Sequence, residues 1–381
     1  MVDAPDAPGP LGPADPSGPA GRSGDAGAEA DAGAEVERGG IGRWIVLTVV
    51  LVVWLAANVV RLPYIVLSPG RADAVGERIT VRKVPRFPPN GEIYWATVSF
   101  NQEPTAVQLL LAWLRRDADV HPREEIVGDQ SRSETVREGQ AEMDDAKLVA
   151  EVVAVRRLGY ATQGGGVTIE ATMKGTPSAR ALRKGDVVLA ADGRSVCLRG
   201  DLRQVVRSHR VGDEVRLLVR RGGTARTIEV TTVADPDSRV PILGLTLAAG
   251  PAAPCRLPFP VSVDTGEIGG PSAGLAMTLA LLDQLTPGEL TGGGKVAVTG
   301  TIESDGRVGP VGGVAQKAAT VRAAGASLFV VPEDEVSTAR AHAGNGMRVV
   351  GVATLDEALA ALQAQGGTPL PPTSTTVPTG R

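Results

Sequence analysis

Two residues in the last third of the chain have the types and surroundings that acyl-transfer chemistry requires. Ser272 lies in the sequence Gly269-Gly-Pro-Ser-Ala-Gly274, directly before an apolar run that predicts a buried helix over residues 271–285. The glycine N–H groups and the positive end of this helix can stabilise an oxyanion beside a serine. Ser272 is therefore a candidate nucleophile, with the backbone N–H groups of Gly270 and Ser272 as oxyanion donors. This motif alone leaves open that Ser272 only caps the helix.

Lys317 is the candidate base. Val314, Lys317, Ala318 and Val321 follow the spacing i, i+3, i+4, i+7, so a helix would turn the lysine inward with the apolar side chains. The chain has six lysines against 33 arginines, and only a lysine can lose its proton when buried. A neutral amine could take the proton of the serine hydroxyl and return it to the leaving amine. A lysine whose ammonium group reaches the surface remains the alternative.

The same serine also fits the pattern G-x-S-x-G of a Ser–His esterase. That chemistry needs a histidine later in the chain, and His342 with Asp334 is the available pair. However, residues 265–270 separate the preceding strand from the serine, and His342 lies in the polar stretch AHAGNG. We keep this reading as the less favoured alternative.

Short β segments with turn residues fill positions 165–233. Residues 165–172 predict a strand, residues 184–196 predict a strand pair joined by Asp192-Gly193, and a hairpin follows around Gly222-Gly223. Asp201 is expected to N-cap a short helix between them. These patterns predict a small β domain over residues 161–234.

This order of strands and helix resembles a PDZ domain. The resemblance implies a carboxylate-binding loop at Gly164–Gly166, followed by the strand that receives a peptide. Gly165, Gly166, Val167 and Ile169 are therefore expected to bind unfolded or C-terminal peptide segments by strand addition. The alternative is that Val167 and Ile169 are only core.

Residues 44–60 are uncharged and apolar, with tryptophan at position 44. As a helix they span about 25 Å, which predicts a membrane anchor rather than a cleaved signal peptide or a core helix. Orientation stays open, because Arg38 and Arg43 on one side balance Arg61 and Arg71 on the other. Residues 1–40 and 366–381 are rich in small residues and proline, which predicts disordered tails.

Two further regions complete the predicted α+β multidomain protein. Residues 71–160 are read as a membrane-proximal α/β segment, with strands over 78–84 and 93–100 and helices over 104–116 and 136–153; we assign it no chemistry. Residues 241–365 alternate strand-like and helical runs, which predicts an α/β or α+β domain.

Composition excludes several classes of function. The net charge is −4 and aromatic residues are 3% of the chain, which argues against nucleic acid as a partner. Two cysteines and three histidines leave little material for a zinc or iron–sulfur site. We therefore expect no metal and no cofactor.

The segment 261–332 resembles the proteolytic domain of Lon-type serine–lysine peptidases. GGPSAGLAMTLALLD matches the nucleophile motif, and residues 298–332 match the segment that carries the lysine, 45 residues after the serine. The resemblance implies Ser272 as nucleophile and Lys317 as general base. It also suggests that the hydroxyl of Thr299 orients the lysine.

The chain departs from this family in two ways. No segment fits G-x-x-x-x-G-K-[ST], since Gly294-Lys295-Val296 fails at the last position, so ATP-driven unfolding is not expected. Gly269 also stands where many Lon enzymes have aspartate.

The layout of anchor, PDZ-like domain and Lon-like domain resembles membrane-anchored, PDZ-containing Lon-type proteases of bacteria. It implies a single-pass, ATP-independent serine endopeptidase of the cell membrane whose folded domains lie outside the cytoplasm. The alternative is a catalytically idle membrane protein that binds peptides. Pairing of Cys197 with Cys255 stays open, and a homo-oligomer is compatible with the sequence.

Overall fold

The structure is a computed structural model that describes residues 38–371. Of the predicted tail over residues 1–40, only the last three residues lie in this range. Of the predicted tail over residues 366–381, residues 366–371 lie in it and the rest lie outside. Residues 366–371 follow the last helix closely, and Thr368 N–H donates to the Glu289 carbonyl at 2.7 Å. The chain divides into two units, one ending at Ala56 and the other beginning at Ala57.

The first unit contains most of the apolar helix α1 (Arg38–Val59). Over Gly42–Val59 this helix is long and apolar enough to cross a membrane, and none of that window is buried within the protein. The apolar helix predicted at residues 44–60 is present, and its role as a membrane anchor stays a prediction.

The second unit contains the remaining helices and all the strands of the described chain. The other helices are α2 (Ala106–Trp113), α3 (Arg123–Ile126), α4 (Arg132–Arg157), α5 (Pro177–Ala181), α6 (Arg199–Arg207), α7 (Gly274–Leu285), α8 (Val314–Ala323), α9 (Val336–Ala343) and α10 (Leu355–Gln363). The strands are β1 (Tyr64–Ala74), β2 (Ile79–Val81), β3 (Glu92–Asn101), β4 (Asp119–Pro122), β5 (Gln163–Gly164), β6 (Val167–Thr172), β7 (Val187–Ala191), β8 (Arg194–Ser195), β9 (Glu214–Arg221), β10 (Thr224–Thr231), β11 (Val233–Ala234), β12 (Pro241–Ile242), β13 (Leu245–Leu247), β14 (Cys255–Arg256), β15 (Val261–Val263), β16 (Lys295–Val298), β17 (Thr301–Ile302), β18 (Val308–Gly309), β19 (Leu328–Pro332) and β20 (Arg348–Val352).

One six-stranded sheet joins the beginning and the end of this unit, in the order β20-β19-β16-β3-β1-β4. β3 pairs in parallel with β16, so that Ile93 lies opposite Val296, and antiparallel with β1. We had expected the segment 71–160 to be a separate region. It is instead part of the same unit as the later strands. It supplies central strands because Ile93 and Trp95 are buried in the common core and β3 needs hydrogen-bonding partners on both edges.

Helix α7 packs under this sheet and is buried along nearly its whole length, as its uniformly apolar sequence predicts. Helix α4 lies against α7 through Met143, Ala146 and Ala150, whose small or flexible side chains allow close approach. Its start is fixed by a capping box between Ser131 and Glu134.

A second sheet, in the order β10-β9-β7-β6-β13, forms the small β domain. Both predicted hairpins are present. In the hairpin of β7 and β8, Asp192 and Gly193 form the turn, with φ of 47° and 76°. The domain extends past residue 234, because β13 adds to the edge of β6. Asp201 is not the N-cap: it lies inside α6, and its carboxylate accepts from Leu198 N–H at 2.9 Å.

Cys197 and Cys255 form a disulfide with Cα atoms 5.7 Å apart. It ties the residues just before α6 to the first residue of β14, across 58 residues of sequence. A cross-link of this loop length restricts the unfolded chain, which stabilises the folded state.

Replacing both cysteines by serine is expected to lower the free energy of unfolding by about 2–4 kcal/mol. Urea unfolding of the soluble unit, with and without dithiothreitol, measures this. Reduced wild-type protein should match the double variant, and an unchanged midpoint on reduction would contradict the cross-link.

Candidate active site

Ser272 lies in a single turn of 3-10 helix, Pro271–Ala273, that leads directly into α7. Its main-chain carbonyl accepts from Gly300 N–H at 2.9 Å and from the Thr299 hydroxyl at 3.3 Å. The serine is therefore held against the segment that follows β16, at the carboxyl end of the parallel strands.

Lys317 projects from α8 into the same region and is only 3% exposed. Its Nζ donates to Thr299 Oγ1 at 3.3 Å. The Thr299 hydroxyl thus accepts from the lysine and donates to the main chain of Ser272. The structure brings these three residues together, although they come from three separate segments.

Burial lowers the pKa of Lys317 to about 8, and the nearby carboxylate of Glu335 partly opposes this shift. Glu335 Oε1 accepts from Val311 N–H at 2.8 Å, in the loop that leads into α8. Burial disfavours the charged form of Glu335 as well, and this raises the pKa of its carboxyl group. An amine with this pKa is neutral in about a tenth of the molecules at pH 7. A free lysine is almost entirely protonated at that pH.

Ser272 and Lys317 line one open cleft of about 510 Å³. Its other walls are the loop 265–270 and strand β3 from Trp95 to Val98, with Arg71 on β1. We had assigned no chemistry to β1 or β3. Their place at the cleft depends on pairing with β16, some 200 residues later in the chain, and no local pattern reveals that pairing.

The predicted oxyanion donors are not equivalent. Gly270 N–H donates to the Gly139 carbonyl of α4 at 2.7 Å, so in this structure it is engaged. Gly270 has φ of +87°, which favours glycine. Among residues 38–371, Ser272 N–H makes no main-chain hydrogen bond outside its own helical turn.

The contact with α4 also accounts for glycine at position 269. A Cβ atom there would lie 3.1 Å from the carbonyl carbon of Gly139, closer than ordinary van der Waals contact. An aspartate would therefore require α4 to shift.

His342 does not reach the serine. It lies on α9, with Nδ1 3.0 Å from the Thr338 carbonyl of the same helix. Neither His342 nor Asp334 is among the described residues that line the cleft.

The predicted peptide-binding strand, by contrast, has no free edge. β6 lies between β7 and β13, and Val167 and Ile169 are fully buried. A Cβ atom on Gly165 would contact Cys255 Sγ at 3.1 Å, and Gly166 donates to the Val196 carbonyl and accepts from Ala252 N–H. These four residues are core and turn, because strand addition requires unpaired backbone groups.

On the β6 side of the sheet, the outer strand is β13. A groove of about 620 Å³ lies beside this strand, with Leu202, Arg203 and Val206 of α6 on one wall and residues 240–247 on the other. The alternation of Leu243, Leu245 and Leu247 is the sequence signal for this strand, which we had placed in the following domain over residues 241–365.

Comparison with known proteins identifies two domains. Residues 142–232 match the model of the PDZ domain, and residues 261–364 match that of the Lon protease (S16) C-terminal proteolytic domain. The PDZ match begins within α4 and thus earlier than the predicted boundary at residue 161.

Individual proteins are also similar to parts of the chain. A Lon protease of Lachnoclostridium phytofermentans is 37% identical over 93 residues, which are 24% of this chain and 11% of that protein. A Lon protease of Phenylobacterium zucineum is 26% identical over 269 residues, or 70% of this chain and 31% of that protein. The chain thus spans less than a third of the length of these relatives. The PDZ domain of the SdrC-like protein from Listeria monocytogenes is 23% identical, covering 23% of this chain and 93% of that one, with a TM-score of 0.22.

Proposed function

We propose that this chain, which joins a PDZ domain to a Lon-type proteolytic domain, is an ATP-independent, membrane-anchored serine endopeptidase with a Ser272–Lys317 dyad. The observation that carries the proposal is the buried Lys317 in the cleft of Ser272, with its Nζ on the hydroxyl of Thr299. A lysine that only packs in the core does not need its amine, whereas a lysine that acts as a general base requires it.

In the proposed reaction, neutral Lys317 takes the proton of the Ser272 hydroxyl while Oγ attacks the peptide carbonyl. The N–H of Ser272 stabilises the oxyanion, and Gly270 can join it only after its bond to Gly139 breaks. Protonated Lys317 then gives its proton to the leaving amine. Water, deprotonated by Lys317, hydrolyses the acyl-enzyme and returns the free serine.

A fluorophosphonate probe tests this assignment without knowledge of the substrate. Mass spectrometry of the soluble unit, without nucleotide, should find the probe on Ser272 in the wild type and in His342→Ala. Loss of labelling in His342→Ala would indicate a Ser–His esterase instead of a Ser–Lys protease. Absence of labelling from the wild type, with peptide binding intact, would support the idle peptide-binding protein instead.

The rate should depend on pH through Lys317. Since the base must be neutral, kcat/KM is expected to rise with pH and to level off above the lysine pKa of about 8. Glu335→Gln keeps an oxygen for Val311 N–H but removes the charge that raises this pKa, so its midpoint should be lower. A flat profile between pH 6 and about 9 would contradict a lysine base.

The PDZ domain is proposed to select unfolded or C-terminal peptide segments at the groove between β13 and α6. An extended peptide would pair with the edge of β13 while its side chains contact Leu202 and Val206. Arg207 lines the same wall and favours a carboxylate or acidic side chains, whereas Arg203 already lies 3.6 Å from Glu303.

Hydrogen exchange distinguishes this groove from the strand predicted from the sequence. On binding of a C-terminal peptide, amide protection is expected to increase over residues 243–248. Residues 165–170 serve as the internal control, because β6, which begins at Val167, is already paired on both edges. An increase confined to residues 165–170 would reverse the assignment.

Localisation outside the cytoplasm is part of the proposal. The disulfide Cys197–Cys255 supports it, because such bonds persist in oxidising compartments. A C-terminal alkaline phosphatase fusion, active only outside the cytoplasm, should be active, and an inactive but expressed fusion would reverse the topology.

A further inference from the structure

Helix α2 presents an apolar face to solvent. Leu110, Leu111, Trp113 and Leu114 are 57%, 56%, 77% and 66% exposed. Four large apolar side chains at this exposure on one short helix are unusual for a soluble surface and indicate a binding face. We infer that this face docks the folded unit onto an anionic membrane surface.

The arrangement of α2 is the reverse of an ordinary surface helix. At 100° per residue the four exposed side chains cover one continuous arc, while Ala112 on the opposite side is buried. A capping box between Thr105 and Gln108 fixes the start of the helix. The apolar face is thus held outward by the fold.

The position of α2 in the chain favours a bilayer as the occupant. The chain leaves the apolar helix α1 at Val59, and two residues later Arg61 pairs with Thr105, the N-cap of α2. Leu62 N–H also donates to the Pro104 carbonyl at 3.0 Å. The start of α2 is therefore bonded to the residues that emerge from the proposed anchor.

The charges at this end of the unit fit anionic headgroups. Arg115 and Arg116 follow the apolar face directly and are exposed. Arg115 has a carboxylate nearby, Asp117 at 3.4 Å, and Arg61 lies 3.8 Å from Glu103. Exposed leucines with a tryptophan and flanking arginines are the composition of helices that lie in the membrane interface.

The inference rests on the proposed anchor only for the location of the bilayer, and its test omits the anchor. A fragment of residues 61–381 retains all but the first four residues of the second unit, including its cores, and its only tryptophans are Trp95 and Trp113. Trp95 is 1% exposed, so a change in fluorescence reports on Trp113.

With vesicles of phosphatidylcholine and phosphatidylglycerol, the fragment should sediment with the lipid and its tryptophan emission should shift to shorter wavelength. Leu110→Asp with Leu114→Asp should reduce binding by about tenfold or more. Val136→Asp with Val211→Asp is the matched control, because these residues are also exposed and apolar but lie on other parts of the unit. Control and wild type should bind alike.

Failure of the wild-type fragment to bind, or equal binding by the Leu110 and Leu114 variant, would overturn the inference. An oligomer of the fragment that this variant converts to monomer, without lipid binding, would instead make the face an interface between copies. Ser272→Ala should bind vesicles like the wild type, so loss of the proposed activity and loss of docking are separate results.

Discussion

Ser272→Ala and Lys317→Met are each expected to lower kcat/KM for an unfolded protein substrate by about a thousandfold or more. The serine supplies the atom that forms the acyl-enzyme, and it lines the same cleft as Lys317, whose Nζ donates to Thr299 Oγ1. Methionine fills the volume of the lysine side chain without an amine, so the core around α8 stays packed. The measurement is the rate at which the soluble unit, without nucleotide, releases fluorescent peptides from a labelled unfolded protein.

The two residues act in one step, so their effects should not add. The double variant is expected to be no slower than either single variant. Lys295→Met and Ser133→Ala are matched controls at exposed positions and should keep wild-type rates. Full activity in Lys317→Met would exclude the dyad even if Ser272→Ala were inactive.

Arg156→Met is expected to cost about 3–5 kcal/mol of folding free energy, the largest effect on stability that the structure suggests. Arg156 on α4 makes two hydrogen bonds, at 2.6 and 3.0 Å, to the buried carboxylate of Asp201 on α6. The pair joins a helix of the proteolytic core to the helix of the PDZ groove. Its removal leaves a buried charge with only backbone partners.

Arg157→Met is the control for this prediction. Arg157 follows Arg156 on the same helix, but its partner Asp356 is exposed, so the loss should stay below about 1 kcal/mol. Urea unfolding of both variants against the wild type gives the comparison. Equal midpoints for the two variants would show that the Arg156–Asp201 pair does not hold the helices together.

The same pair predicts a dependence on acid. Burial alone would raise the pKa of Asp201, but hydrogen bonds from Arg156 and from the N–H groups of Leu198 and Cys197 lower it below the usual aspartate range. A lowered pKa in the folded state contributes stability above the ordinary aspartate pKa of about 3.9. That contribution is lost as the pH falls through the lower folded value.

Features that depend on neighbours in sequence were predictable. The uniformly apolar run after Ser272 could only become a buried helix, and the helical spacing around Lys317 turned that lysine inward. Asp192-Gly193 and Gly222-Gly223 gave their hairpins, because both turns use backbone conformations that favour glycine. The Lon and PDZ domains followed from motifs of this kind.

What required the tertiary structure was the pairing of distant segments. β3 joins β16 in parallel, and this pairing brings Trp95 to the cleft. Gly270 N–H is bonded to α4, which no pattern around the serine reveals.

The sequence by itself determined which residues could carry the chemistry, because the types and local spacing of Ser272 and Lys317 are local properties. The tertiary structure decided which strand edge is free: β13 covers β6, so the side chains of Val167 and Ile169 became core. A backbone edge is open only if no other segment of the chain bonds to it, and that depends on the whole fold.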